Sequence, residues 1–290
     1  MTRHRPGVTR PLLPRAGPLA GRLIATDIDG TLLRSDHTLA GRTIEALDAA
    51  RHAGAVLALA TGRDWHAITD LLNDLPSIDY ALCVNGIEVF RADGHELLTF
   101  TLEAATAVRI VRTLRQNVPG VAIGAGLGGR LIGEPAITAV MPTDVGVVEE
   151  VDDIISVLFD AGRQGPDIRD LIVHHPQHAS DVDAWFDRVS RSLGSHDGFE
   201  LAHTGMPQMV EIVPPRAGKH TGLAWLADHL DIHRHNVVAV GDGLNDLAML
   251  AWAGTGVAMG QAHPRVKAAA DEVALTNDED GLAAYLHTLH

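Results

Sequence analysis

The sequence predicts an α/β protein in which a parallel-sheet core is interrupted by a mixed α+β insert. Three observations carry this. Apolar runs at Leu23–Thr26, Ala55–Ala60, Tyr80–Val84 and Val237–Val240 each stop abruptly at polar residues, as strands buried on both faces of a parallel sheet do. Stretches of helical spacing lie between them. From Ile87 to Val213 the pattern changes to short strands punctuated by Gly, Asp and Pro.

Taken in order, Met1 to Arg22 carries Arg3, Arg5, Arg10, Arg15 and Arg22 among prolines, with no acid and no periodicity. It is expected to be a disordered extension of residues 1–22. The first strand then runs into Asp27-Ile28-Asp29-Gly30-Thr31. Leu39 to His52 is a crossover helix stopped by Gly54. The second strand ends at Thr61-Gly62-Arg63-Asp64, a seat for phosphate oxygens at a helix entrance, although Thr61 or Asp64 could equally cap that helix. Helix Trp65 to Leu75 and the third strand follow, the latter ending at Asn85-Gly86.

Ile87–Phe90 and Leu97–Phe100 flank Asp93-Gly94 as an antiparallel hairpin. The insert continues with helix 103–117, strands at 121–123 and 130–132, helices at 151–161 and 180–193 (Ser180 as N-cap), and strands at 170–174, 200–203 and 209–213. Gly124, Gly126 and Gly129 formally fit a dinucleotide fingerprint, but a strand and Pro135 follow instead of a helix, so they are read as a hairpin turn. His174, His175 and His178 cluster without an acid to complete a metal site. The core resumes with helix 219–230 opened by Lys219, the strand ending in Gly241-Asp242-Gly243-Leu244-Asn245-Asp246, short strands at 256–259 and 272–275, and a closing helix. The expected domains are 23–86 with 215–290 as core and 87–214 as insert, with hinges at Asn85-Gly86 and Pro214-Pro215.

Composition bounds the function. The 290 residues are 46% hydrophobic and 21% charged, ordinary for a globular protein. A formal charge of −14 argues against a nonspecific nucleic-acid surface. Cys83 is the only cysteine, which excludes an internal disulfide and a cysteine-based zinc site and suits a cytoplasmic setting. No run reaches the ~20 apolar residues of a membrane helix, so no membrane partner is expected. Lysine occurs only at 219 and 267, which makes each of them notable in a chain that otherwise uses arginine.

Strand ends bearing Asp27 and Asp29, Thr61-Gly62, Asn85, and Asp242, Asn245 and Asp246, with helix-initial Lys219, bring acid, hydroxyl, amide and ammonium to one edge of the sheet. Ligands of open α/β sheets bind at that edge. Phosphoryl transfer needs this mixture. Asp27 fits as nucleophile, Asp29 as acid and base, and Lys219 as the charge between nucleophile and phosphate. Asp27, Asp29 through its main-chain carbonyl, and Asp242, with Asp246 ligating or orienting, suit Mg2+. Gly30 comes too early for a calcium loop, and the residues around Lys219 lack the glycine and hydroxyl of a Walker loop.

Asp27-x-Asp29-Gly30-Thr31-Leu32-Leu33, Thr61-Gly62-Arg63, Lys219 and Gly241-Asp242-x-x-Asn245-Asp246 resemble, in order, the four motifs of the haloacid dehalogenase superfamily. Asn85-Gly86, the position of the insert and Val257-Ala258-Met259-Gly260 resemble its Cof-like branch with a class IIB cap. The resemblance runs from about Leu23 to the end. It implies a Rossmann-like core, a mobile cap, Mg2+, an aspartyl-phosphate on Asp27, and a phosphate site that includes Thr61, Gly62, Arg63, Asn85, Gly86 and Asn245. The partner it implies is a small phosphorylated metabolite such as a sugar phosphate. A sugar phosphomutase would use the same aspartyl-phosphate, and a noncatalytic metabolite-binding protein could keep the fold.

Overall fold

The computed structural model describes residues 2–3, 16–141, 148–165, 167–178, 181–194, 198–203 and 208–289. These divide into two compact units, one within His4–Leu98 and Gly218–His290, the other within Thr99–Ala217 together with Met1–Arg3. Among the described residues no helix is long and apolar enough to cross a membrane.

The strands, in chain order, are β1 Thr2–Arg3, β2 Leu23–Thr26, β3 Val56–Ala60, β4 Tyr80–Cys83, β5 Glu88–Arg91, β6 Glu96–Phe100, β7 Ala122–Leu127, β8 Arg130–Gly133, β9 Val148–Glu150, β10 Ile168–His174, β11 Glu200–His203, β12 Met209–Val213, β13 Val237–Gly241, β14 Thr255–Ala258 and β15 Glu272–Val273. The helices are α1 Gly41–His52, α2 Trp65–Asn73, α3 Ala104–Asn117, α4 Pro135–Thr138, α5 Ile154–Gln164, α6 Val182–Leu193, α7 Lys219–His229, α8 Leu247–Trp252, α9 Pro264–Ala269 and α10 Gly281–His287.

In the core unit the order is β6-β5-β4-β3-β2-β13-β14-β15. From β4 to β15 all neighbours are parallel, and β2, β4 and β13 are buried throughout, which is why their sequences are continuous apolar runs. The chain leaves β2 toward β3 and leaves β13 toward β14, in opposite directions across the sheet. The switch point, where a crevice opens at the carboxyl ends, therefore lies between β2 and β13.

The hairpin around Asp93-Gly94 extends this sheet and does not begin the insert. Val84, Asn85 and Gly86 all have positive φ, at 48°, 53° and 82°, and this tight reversal brings β5 back antiparallel to β4, Leu82 opposite Val89. The change of period marked a change of strand direction. The chain passes between the units at Leu98/Thr99 and Ala217/Gly218, so Asn85-Gly86 lies inside the core unit and not at a crossing.

The second unit has a sheet in the order β11-β12-β10-β7-β8-β9, its core formed by side chains of α3, α5 and α6 packed on β7, β10 and β12. Gly124 and Gly126 belong to β7, and only Gly128 and Gly129, at φ 53° and 79°, make the turn. Asp181 caps α6 by accepting from the Ala184 N–H at 3.0 Å; Ser180 lies outside the described residues. His175 accepts from the Gln177 N–H at 3.1 Å and contacts the Pro119 carbonyl at 3.1 Å, while His178 stacks on Trp185. These histidines are engaged in packing.

Of the expected disordered extension, residues 1 and 4–15 lie outside the described residues. Thr2–Arg3 pairs antiparallel with Thr99–Phe100. Residues 16–22 pack on the core unit: Leu19 is buried and its N–H donates to the Ala53 carbonyl at 2.9 Å. An apolar side chain buried beside a satisfied backbone donor orders a segment whatever its composition.

Candidate active site

The sheet switch point sets the first two acids. Asp27 follows β2 directly, its N–H bonded to the Val240 carbonyl at 2.9 Å, and Asp242 follows β13. After Asp27 the chain makes a wide turn closed by the Leu33 N–H on the Ile28 carbonyl. Gly30 sits in this turn at φ 83°, and a Cβ there would collide with the Asp242 carboxylate. Only glycine serves both needs. Thr31 then donates through Oγ1 to Asp242 Oδ1 at 2.9 Å.

Lys219, the first residue of α7, has a fully buried side chain, and its Nζ lies 2.5 Å from Asp27 Oδ1 and 2.7 Å from Asp246 Oδ1. The other Asp246 oxygen accepts from the Asp242 and Gly243 N–H groups at 3.0 and 2.9 Å. Asp246 thus fixes both the ammonium and the loop that carries Asp242.

Three carboxylates share this site with one ammonium. Burial pushes the Asp27 carboxyl up to about 8, against the pull of Lys219 and with the push of Asp246 and Asp242. Burial also raises Asp242, against the hydrogen bond from Thr31. Burial works against the Lys219 charge, but Asp27 and Asp246 outweigh it and hold the ammonium protonated. One oxygen from each of Asp27, Asp242 and Asp246 can be drawn from a set lying within 4.8 Å of one another, the one such acid or histidine group among the described residues. An all-oxygen donor set with uncompensated negative charge fits a hard divalent cation.

The opposite side of the crevice is built from the ends of β3 and β4. Asp64, not Thr61, caps α2, accepting from the Ala67 N–H at 3.0 Å. Thr61 Oγ1 accepts from the Arg63 N–H at 3.1 Å and keeps its own proton to donate. The Asn85 N–H bonds the Thr61 carbonyl at 2.8 Å, tying the two loops. Asn85 stands beside Gly62 and accepts from Asn245 Nδ2 at 3.0 Å. Thr61, Gly62, Asn85 and Asn245 are therefore brought together.

Three expected site residues stand differently. The Asp29 side chain is 46% exposed and is not part of the acid cluster; it is held by both Arg63 Nε at 2.9 Å and Arg63 Nη2 at 2.5 Å. Arg63 in turn binds Asp29, where a phosphate contact was expected. Gly86, at φ 82°, packs against the start of α7: a Cβ there would fall 2.6 Å from the Gly218 carbonyl and 2.9 Å from Lys219 Cα. Its part is to let α7 approach and so to place Lys219. Gly86→Ala is expected to cost about 1–3 kcal/mol of stability and to lower activity through Lys219, read by urea unfolding and turnover together.

With this geometry in place, the sequence profile of the haloacid dehalogenase-like hydrolases matches residues 24–286. The chain belongs to that family. Among its haloacid dehalogenase-like relatives, the pyridoxal phosphate phosphatase YbhA of Escherichia coli is 29% identical over 292 residues, covering 92% of this chain and 98% of the relative. An HMP-PP phosphatase of Yersinia pestis is 26% identical over 268 residues, with 92% and 94% covered. A haloacid dehalogenase-like hydrolase from Bacteroides thetaiotaomicron superposes with a TM-score of 0.75 at 26% identity, covering 93% and 99% of the two chains. The subclass IIB sugar phosphatase BT4131 superposes with a TM-score of 0.73 at 25% identity, covering 92% and 98%. The α/β fold, the Cof-like resemblance and the enzyme class expected from the sequence agree with these likenesses.

Two contributors to this haloacid dehalogenase-like site escaped sequence reasoning. Thr31, quoted only as part of a motif, anchors Asp242. Gln261 donates to the Gly30 carbonyl at 2.5 Å, and nothing in its own neighbourhood signals a partner 231 residues earlier.

Proposed function

We propose that this chain, a phosphatase of the haloacid dehalogenase-like family, hydrolyses phosphate monoesters of small metabolites through a phosphoryl group carried on Asp27. The observation that supports this most directly is the buried Lys219 ammonium held between Asp27 and Asp246 at the β2/β13 switch point. It keeps a carboxylate oriented where a nucleophile is needed and offsets part of the repulsion from an incoming phosphate.

Asp27 attacks phosphorus in line, the P–O bond to the leaving group breaks, and the alkoxide takes a proton from Asp29. Asp29, then a carboxylate, removes a proton from water, which attacks phosphorus and releases inorganic phosphate with Asp27 restored. For this Asp29 exchanges its Arg63 partner for the reacting oxygens, so Arg63 is a positioning residue for it. The Thr61 hydroxyl, the Gly62 N–H and the amides of Asn85 and Asn245 are suited to hold phosphoryl oxygens. Asp27, Asp242 and the Asp29 main-chain carbonyl are assigned as Mg2+ ligands, with Asp246 orienting, because the donors are all hard oxygens. When bound, the cation supplies positive charge that offsets the phosphate and the acid cluster.

The substrate class, sugar phosphates or related monoesters, takes its support from the relatives, named for HMP-PP, pyridoxal phosphate and sugar phosphates. The second unit is our candidate for the cap that selects among them, and a cytoplasmic setting is part of the reading. Phosphate release from a panel of phosphorylated metabolites, with Mg2+ and with chelator, tests it. Turnover is expected only with the cation, lost in chelator and regained on adding Mg2+. An isomerised product without free phosphate would instead identify a mutase.

A further inference from the structure

Gln261 lies just past β14 and is exposed, yet each end of its amide is committed. Nε2 donates to the Gly30 carbonyl at 2.5 Å, and Oε1 accepts from the Asn277 N–H at 3.1 Å. The Gly30 it holds lies against the Asp242 carboxylate, and the next residue, Thr31, donates to Asp242 Oδ1 at 2.9 Å. An exposed glutamine has many rotamers to lose, and this one is fixed between two separate segments.

Those segments form a brace. Asn277 Nδ2 donates to the Leu33 carbonyl at 3.0 Å, the Ser35 N–H donates to Asp278 at 2.9 Å, and Arg34 donates to Asp280 at 3.1 and 2.7 Å. The brace is stiffened by Thr276 and Glu279, which form a reciprocal capping box. The strip Leu33–Ser35 is thereby fastened to the C-terminal segment, and Gln261 fastens the preceding turn at Gly30, where Thr31 reaches Asp242.

We propose that Gln261 is a positioning residue for the divalent-cation site, fixing the Gly30–Thr31 turn from which Thr31 holds the Asp242 carboxylate. This rests on the reading of Asp27 and Asp242 as cation ligands. Partners that orient a ligand typically change metal affinity 10–100-fold when removed. Gln261→Met keeps the length of the side chain and deletes both ends of the bridge.

The experiment is Mg2+ binding by titration calorimetry to the full chain and to Gln261→Met, alongside melting of both in chelator and turnover as a function of Mg2+. The expected result is affinity weaker by about tenfold, melting in chelator that matches wild type, and turnover that recovers as Mg2+ is raised. Unchanged Mg2+ affinity, or a turnover loss that Mg2+ does not restore and that follows a lowered melting temperature, would overturn the proposal while leaving the cation site standing. If the wild-type chain takes up no Mg2+, the cation-site reading fails and the role of Gln261 fails with it.

Discussion

Asp27→Asn is expected to lower phosphate release by at least about four orders of magnitude, the scale seen when a group that acts as part of a catalytic unit is deleted. Asparagine has nearly the same shape and can still accept from Lys219 through its carbonyl oxygen, but it cannot form the acyl phosphate. The fold should survive. Asp27 is one of three carboxylates facing a single ammonium, and burial already opposes its charge, so neutralising it removes repulsion. Turnover and thermal melting measured on the same preparation check this: activity lost, melting no lower than wild type.

Lys219→Met should do the reverse, harming the fold as much as the chemistry. Its ammonium is fully buried between Asp27 and Asp246, with Asp246 itself fully buried. Removing one partner of a buried ion pair leaves uncompensated charge and typically costs about 3–5 kcal/mol. The expected result is a urea midpoint lowered to match, with phosphate release lost even under conditions where the chain remains folded. A Lys219→Met chain as stable as wild type would mean that the two carboxylates were not balanced by this lysine.

The parallel strands were legible because burial on both faces leaves an unbroken apolar run, as in Leu23–Thr26 and Val237–Gly241, and because polar residues resume at the crevice. The residues that end them were legible for the same reason, and the structure brings Asp27, Lys219, Asp242 and Asp246 together across the sheet. The hairpin from Glu88 to Phe100 was legible as a hairpin but not as a part of the core. Alternation tells which face a side chain takes, whereas the sheet it joins depends on the left-handed turn at Val84–Gly86. Gly124 and Gly126 looked like a turn because glycine marks both turns and strands that need close approach. The pairing of Asp29 with Arg63, the packing of Gly86 on α7 and the bridge at Gln261 are long-range contacts. None has a local signature, and each concerns how a site residue is held and not which residue it is.

The central claim is that phosphorus is carried on Asp27, and trapping the acyl phosphate tests it most directly. Enzyme quenched during turnover and reduced with borohydride should yield homoserine at position 27, found by peptide mass spectrometry, and no such product without substrate. Turnover that continues with Asp27 unmodified, or with the phosphoryl group recovered on another side chain, would contradict the account.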